Sequence, residues 1–139
     1  MALTADKIRV LVGTPHYEYI TMAASQTWYV GSFITVVAGY GYTGIQANSK
    51  IGGVAQESGA TGVGVITTQC LVANGCDVVA VTVTSSDQAH EGLPAWISDD
   101  DTLVLSDPSN SCVAGHVAYH LGTNSATVSI PRYPGNAPA

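Results

Sequence analysis

An all-β domain, a small β-barrel or β-sandwich of short antiparallel strands with an extended N-terminal arm, is the fold that this sequence predicts. From Trp28 onward, short runs rich in Val, Ile, Thr and aromatic residues alternate with clusters of Gly, Asn, Asp and Ser. Many short strands at close spacing imply a sandwich or barrel. Helical periodicity of the apolar residues is hard to find. At 139 residues the chain is long enough for one domain with a single core, and such a domain buries roughly two thirds of its unfolded surface.

Strands are expected near 8–12, 27–37, 51–57, 63–68, 77–84, 94–98, 102–105, 113–119 and 126–130. The clearest is 77–84, where alternation sends Val79, Val81 and Val83 to one face and Val78, Ala80, Thr82 and Thr84 to the other. Turn chemistry separates the runs at Ala73-Asn74-Gly75, Asp99-Asp100-Asp101, Asp107-Pro108-Ser109-Asn110 and Gly122-Thr123-Asn124. Gly53 and Gly115 stand 62 positions apart with the elements around them in the same order. That spacing fits an internal duplication of a three-strand unit, although any glycine-punctuated β protein yields similar matches.

Residues 1–26 carry Pro15 between extended segments and no amphipathic period, and they are expected to form an N-terminal arm ahead of a β domain at 27–130. Residues 131–139, with three prolines in nine positions, form a Pro-rich C-terminal tail. On that division, removing residues 1–20 leaves a folded domain and removes contacts with neighbours.

Only 10% of residues are charged against 46% hydrophobic. Interface cores are depleted of charge, so this balance favours an oligomer or assembly subunit over a monomer. The net charge is −6, and the cations Lys7, Arg9, Lys50 and Arg132 are scattered. Nucleic acid and anionic membrane surfaces both need a basic cluster, so neither is expected as a partner. The apolar run Val10-Leu11-Val12 is too short for a signal core, and no stretch reaches transmembrane length. Cys70, Cys76 and Cys112 are odd in number and lack CxxC spacing, which reads as buried thiols of a protein made in a reducing cytoplasm.

The motifs that carry chemistry elsewhere lose to simpler readings. Gly39-Tyr40-Gly41-Tyr42-Thr43-Gly44 matches GxGxxG, but no helix can follow before the next strand, so a glycine-rich hairpin is expected instead of a dinucleotide site. His116 and His120 lie four apart on a strand, about 13 Å along it, and cannot share a zinc. The three aspartates lack the alternating ligands and glycine of a calcium loop and are expected as a turn. No nucleophile or acid-base pair appears in a recognisable setting, so neither catalytic residues, cofactor nor metal is expected. Tyr17, Tyr19, Trp28, Tyr29, Tyr40 and Tyr42 fall in the first third of the chain, and aromatics anchor interfaces because they bury much area with few rotors. They are the candidate interface residues, with a core role the alternative for Trp28.

The order of several pieces resembles the tailed-phage capsid decoration, or cement, proteins. These pieces are Tyr29-Val30-Gly31-Ser32-Phe33-Ile34, Tyr40-Gly41-Tyr42, Gly53-Val54-Ala55-Gln56-Glu57 and the run Gly92-Leu93-Pro94-Ala95-Trp96-Ile97-Ser98-Asp99-Asp100-Asp101-Thr102-Leu103. Val113-Ala114-Gly115-His116-Val117 and Ala126-Thr127-Val128-Ser129-Ile130 complete the series. The likeness spans about 27–130. It departs from the family pattern where Ala95 replaces a strand valine and His116 a common arginine. The resemblance implies a compact β head, a homotrimer on the outer capsid surface of the virion, the major capsid protein as partner, head stabilisation and no catalysis. A carbohydrate- or receptor-binding β-module on a virion or cell surface is the alternative, because it would use exposed Tyr and Trp equally well.

Overall fold

The computed structural model describes residues 2–64, 68–108 and 112–133. In chain order its strands are β1 (Leu11–Val12), β2 (His16–Thr21), β3 (Thr27–Trp28), β4 (Phe33–Val37), β5 (Tyr40–Thr43), β6 (Lys50–Ala55), β7 (Gly59–Ala60) and β8 (Gln69–Asn74). There follow β9 (Cys76–Val83), a short 3-10 turn at Gln88–His90, β10 (Pro94–Ile97), β11 (Thr102–Val104), β12 (Val113–Gly122) and β13 (Ser125–Ile130). The protein is all-β, and its strands form two successive rings. The second ring runs β9-β11-β10-β12-β13 and closes where β13 pairs with β9, while β1 adds to the other edge of β9. The first runs β2-β8-β6-β4-β5 and closes at one parallel bridge between Met22 and Gly41.

The two rings repeat one another in order and direction, and in register around one shared bulge. Ile34 opposes Gly53, and the pairing then skips Gly52 before Thr35 meets Ile51. In the second ring Ala95 opposes Gly115, and the pairing skips Ala114 before Trp96 meets Val113. Beyond the bulge, Val54 pairs Ala73 as His116 pairs Ser129, and Ala55 pairs Val72 as Val117 pairs Val128. The parallel closure repeats as well: Ala23 N–H donates to Gly41 C=O at 2.9 Å, and Thr84 N–H to Leu103 C=O at 3.0 Å. The shared strand order, directions and β6/β12 bulge fit a tandem duplication, while the β9 bulge at Val79-Ala80 has no counterpart in β2, which pairs with β8 without a break. The duplicated unit is five strands, larger than the three-strand unit the glycine spacing suggested.

Each ring has its own core. Val78, Val81, Val83, Ile97, Leu103, Val117, Val128 and Ile130 fill the second, which also receives Phe33, Ile51 and Val54 from β4 and β6. Ile20, Met22, Trp28, Ile34, Val36, Cys70 and Val72 fill the first. Gly41 and Gly52 make room inside it, since a Cβ on either would come within 2.6 Å of Met22 Sδ or Ile20 Cδ1. Alternation along β4 therefore feeds two cores: Phe33 points to one and Ile34 to the other.

Several expectations are corrected. Residues 16–22 are not an arm, because β2 pairs along its whole length with β8 and buries Glu18, Ile20 and Met22. The arm is shorter, and its residues 3–9 are tied down by the hydrogen bonds described below. Deleting 1–20 would therefore remove a ring strand. In β9, Val79-Ala80 together oppose Thr127, with Ala80 at φ 56°, so the bulge shifts the phase. Val78, Val81 and Val83 are buried as a result, and not the Val79, Val81, Val83 row. The strand expected at 63–68 is a turn at 63–64, and the ring strand follows at 69–74. Residues 65–67 of that expected strand, Ser109-Asn110 of the expected turn and 134–139 of the tail lie outside the described residues.

Candidate interaction surface

Strand parity places four of the six aromatics. On β2, inward Glu18 and Ile20 leave Tyr17 and Tyr19 pointing out of the ring, 53% and 55% exposed. On β5, inward Gly41 leaves Tyr40 and Tyr42 pointing out, and β5 adjoins β2 across the ring closure. These four tyrosines share the outer side of the first ring at its seam. Tyr29 is half-buried ahead of β4. Trp28 is corrected to a core residue: it is 1% exposed, and its Nε1 has no hydrogen-bond partner.

A second group of exposed apolar side chains lies beside them in sequence but belongs to the other ring. Ile8, Val10 and Val12 are 90%, 61% and 52% exposed. Their alternates turn inward, with Leu11 packing on the second core and Arg9 covered. The segment thus covers Arg9 and Leu11 on one face and leaves an apolar face of Ile8, Val10 and Val12 bare.

What holds this segment is the aspartate turn. Asp99 Oδ1 accepts from the N–H groups of Asp101 and Thr102 at 2.9 and 2.7 Å, which shapes the turn as expected. Asp100 is buried and accepts from Ser32 Oγ at 2.7 Å and from Leu3 N–H at 2.9 Å. Asp101 accepts from Lys7 Nζ and Arg9 Nη2, both at 2.8 Å. Arg9 also donates to Gly31 C=O at 2.6 Å and lies 4.6 Å from the Phe33 ring centre. Burial pushes the Arg9 pKa down, opposed by Asp101. Burial alone would raise the Asp101 pKa, but the hydrogen bonds and charges of Lys7 and Arg9 together hold it below the usual carboxylate range. The sequence carried one signal of this clamp: two of its few cations stand in the arm, and its densest acidic run stands at 99–101.

At one end of the first ring, Asn74 Nδ2 donates to Glu18 Oε1 and to Gly52 C=O, each at 2.8 Å. His16 Nε2 lies 3.5 Å from Glu18 Oε2. Tyr133 packs on this core, and burial, reinforced by the Glu18 charge, raises its pKa. These polar groups fill the ring end.

His116 and His120 lie on β12 as strand residues, with His120 Nδ1 3.1 Å from Ser86 Oγ. Among the described residues no three His, Cys, Asp or Glu side chains gather as metal ligands would. The GxGxxG run is the hairpin of β4 and β5, turned by Ala38 and Gly39 at φ 51° and 85°. Cys70, Cys76 and Cys112 are free and buried. Burial and the nearby Glu57 push Cys70 up to about 12, so it is no thiolate near neutral pH. Cys112 lines a surface depression of about 380 Å³ with Lys50, Ile51 and Arg132, and burial raises its pKa too.

Comparison with known protein families, curated proteins and solved structures gives no match.

Proposed function

We propose that this chain is a structural virion protein that decorates and stabilises a phage capsid, binding the assembled major capsid protein shell from outside as an oligomer. One observation carries the reading: a charge-poor double ring leaves tyrosines and β-branched residues exposed together on β2 and the β1 segment. Charge-poor surface with aromatic anchors suits permanent protein contact. The motif order that resembles decoration proteins supports it independently.

The mechanism is mass action. A protein that binds the closed shell and not its loose subunits stabilises the shell, by about 2.7 kcal/mol per site when its concentration is 100 times Kd. Repeated copies joined to one another let weak contacts act together. No bond is made or broken, and the protein acts without a cofactor. Synthesis in the host cytoplasm suits three unpaired thiols.

The test is co-sedimentation of the purified chain with shells that lack it. Saturable binding and a higher shell melting temperature are expected. Failure to bind any shell, together with specific retention on a glycan array, would replace this reading with the carbohydrate-binding one, which the exposed Tyr17, Tyr19 and Tyr40 also favour.

A further inference from the structure

The repeat makes one difference between the rings visible. Met22 N–H donates to Thr68 C=O at 2.9 Å. Pairs alternate along an antiparallel ladder, so His16, Glu18 and Ile20 bond to β8, while the N–H and C=O groups of Tyr17 and Tyr19 face the opposite edge. That edge meets β5 only beyond Thr21, at Met22. Among the described residues no backbone partner faces Tyr17 or Tyr19.

In the second ring the same edge is filled. His16 pairs Asn74 as Cys76 pairs Ile130, so Tyr17 and Tyr19 correspond to Asp77 and Val79. Asp77 pairs with Val12, and Val79 N–H donates to Val10 C=O at 2.9 Å. The fold thus accepts an added antiparallel strand at this position, and the first ring lacks one.

From this we infer that the empty edge of β2 receives the β1 segment of a second copy of this chain. The segment has the properties the position requires. Val10 and Val12 bond inward to β9, which turns the N–H and C=O groups of Arg9 and Leu11 outward, and these have no backbone partner among the described residues. Side chains alternate in the same way: Arg9 and Leu11 cover the second ring, leaving Ile8, Val10 and Val12 bare. Shared between its own β9 and a neighbour's β2, the segment buries both faces, one on each ring. Its Ile8, Val10 and Val12 then lie on the inward side of the neighbour's edge, the side of Glu18 and Ile20. Neither edge bears the Pro or outward Lys that blunts free strands.

The contact is heterologous, because β1 of one copy meets β2 of the next, and such contacts form a ring where the rotation between copies closes and an open filament where it does not. A cyclic trimer is compatible with it, whereas β2 meeting β2 would give a two-fold dimer. The inference deepens the oligomer in the proposed function by naming the surface that joins copies, and it does not depend on the shell.

The experiment uses two variants of the full chain, Val10→Lys and Tyr17→Lys, both at exposed positions, measured by sedimentation equilibrium up to millimolar concentration with circular dichroism as the folding control. Wild type should self-associate. Each variant alone should fold with the wild-type spectrum and associate at least about 30-fold more weakly. Mixed in equal amounts, they should form a heterodimer through the one intact pair of edges, and amide exchange at Tyr17 and Tyr19 should slow in the wild-type oligomer. A Val10→Lys chain that associates like wild type, or variants that stay monomeric when mixed, overturns the contact while leaving the oligomer itself standing. A wild-type chain that is monomeric throughout overturns both.

Discussion

Replacing Gly115 by Ala tests the register on which the repeat rests. Gly115 sits at the bulge of β12, and a Cβ there would lie well inside contact distance of the Ser129 carbonyl oxygen and 2.9 Å from its carbon. Backbone cannot rotate away as a long side chain would, so β12 and β13 must part locally. Losing one or two ladder hydrogen bonds costs about 1 kcal/mol each, and overpacking adds about 1–2 kcal/mol, for a total of about 3 kcal/mol. For a chain of this size that is a fall of about 10–15 °C in Tm. Gly122→Ala is the control, because nothing lies within 4 Å of its Cβ position and its φ is not positive. It should change stability by no more than about 0.5 kcal/mol. Gly53, the counterpart in the first ring, meets the Ala73 carbonyl in the same way and also has φ +144°, so Gly53→Ala should cost at least as much. Urea unfolding followed by circular dichroism measures all three. If Gly115→Ala falls within about 1 kcal/mol of wild type, the strands are not registered as described.

Three further outcomes follow from the clamp, the thiols and β2. Because Asp101 titrates below an unfolded aspartate, its ion pairs stabilise fully above about pH 4 and are lost as the pH falls through the lower folded value. Asp101→Asn should therefore be less stable than wild type at neutral pH, with the gap closing in acid. A constant gap in urea midpoints from pH 7 into acid would contradict this. The thiols should resist a disulfide-exchange reagent at mildly alkaline pH in the native protein. Denaturation without reductant should then release three per chain, and one would mean a disulfide. Deleting residues 1–20 removes β1 and most of β2, so the truncated chain should lose its β-sheet circular dichroism.

The fold class was legible because turn residues and β-branched runs are local signals, and the Gly53–Gly115 correspondence survived because both glycines answer to one steric requirement. β2 was not legible for a physical reason. His16-Tyr17-Glu18-Tyr19-Ile20 does alternate, but its polar Glu18 faces in and its tyrosines face out, the reverse of the usual pattern. Glu18 is tolerated inside because Asn74, 56 residues away, donates to it, and no local rule sees that partner. The same holds for the Lys7 and Arg9 clamp on Asp101, whose partners are more than 90 residues apart. Among the aromatics, parity decides exposure. Tyr17, Tyr19 and Tyr40 were placed outside by strands whose phase only the inward glycine and glutamate reveal, whereas Trp28 sits on a two-residue strand too short to show a phase.

The repeat also changes what the N-terminal segment is for. In a chain built of two like rings, each ring offers the same edge, but one chain has a single segment to fill two places. The segment goes to the second ring because Lys7 and Arg9 reach Asp101, a residue of the turn between β10 and β11. The corresponding turn of the first ring is the tight Ala38-Gly39 hairpin, which carries no carboxylate. Charge thus decides which ring has this edge covered within the chain, and the ring whose edge stays bare is the one whose outer face carries four tyrosines. Opposite charges at the clamp and the bare edge of β2 are therefore two halves of one arrangement: the first fixes the segment so that its free backbone groups and apolar face are presented, and the second offers the unpaired backbone groups of Tyr17 and Tyr19 on the next copy.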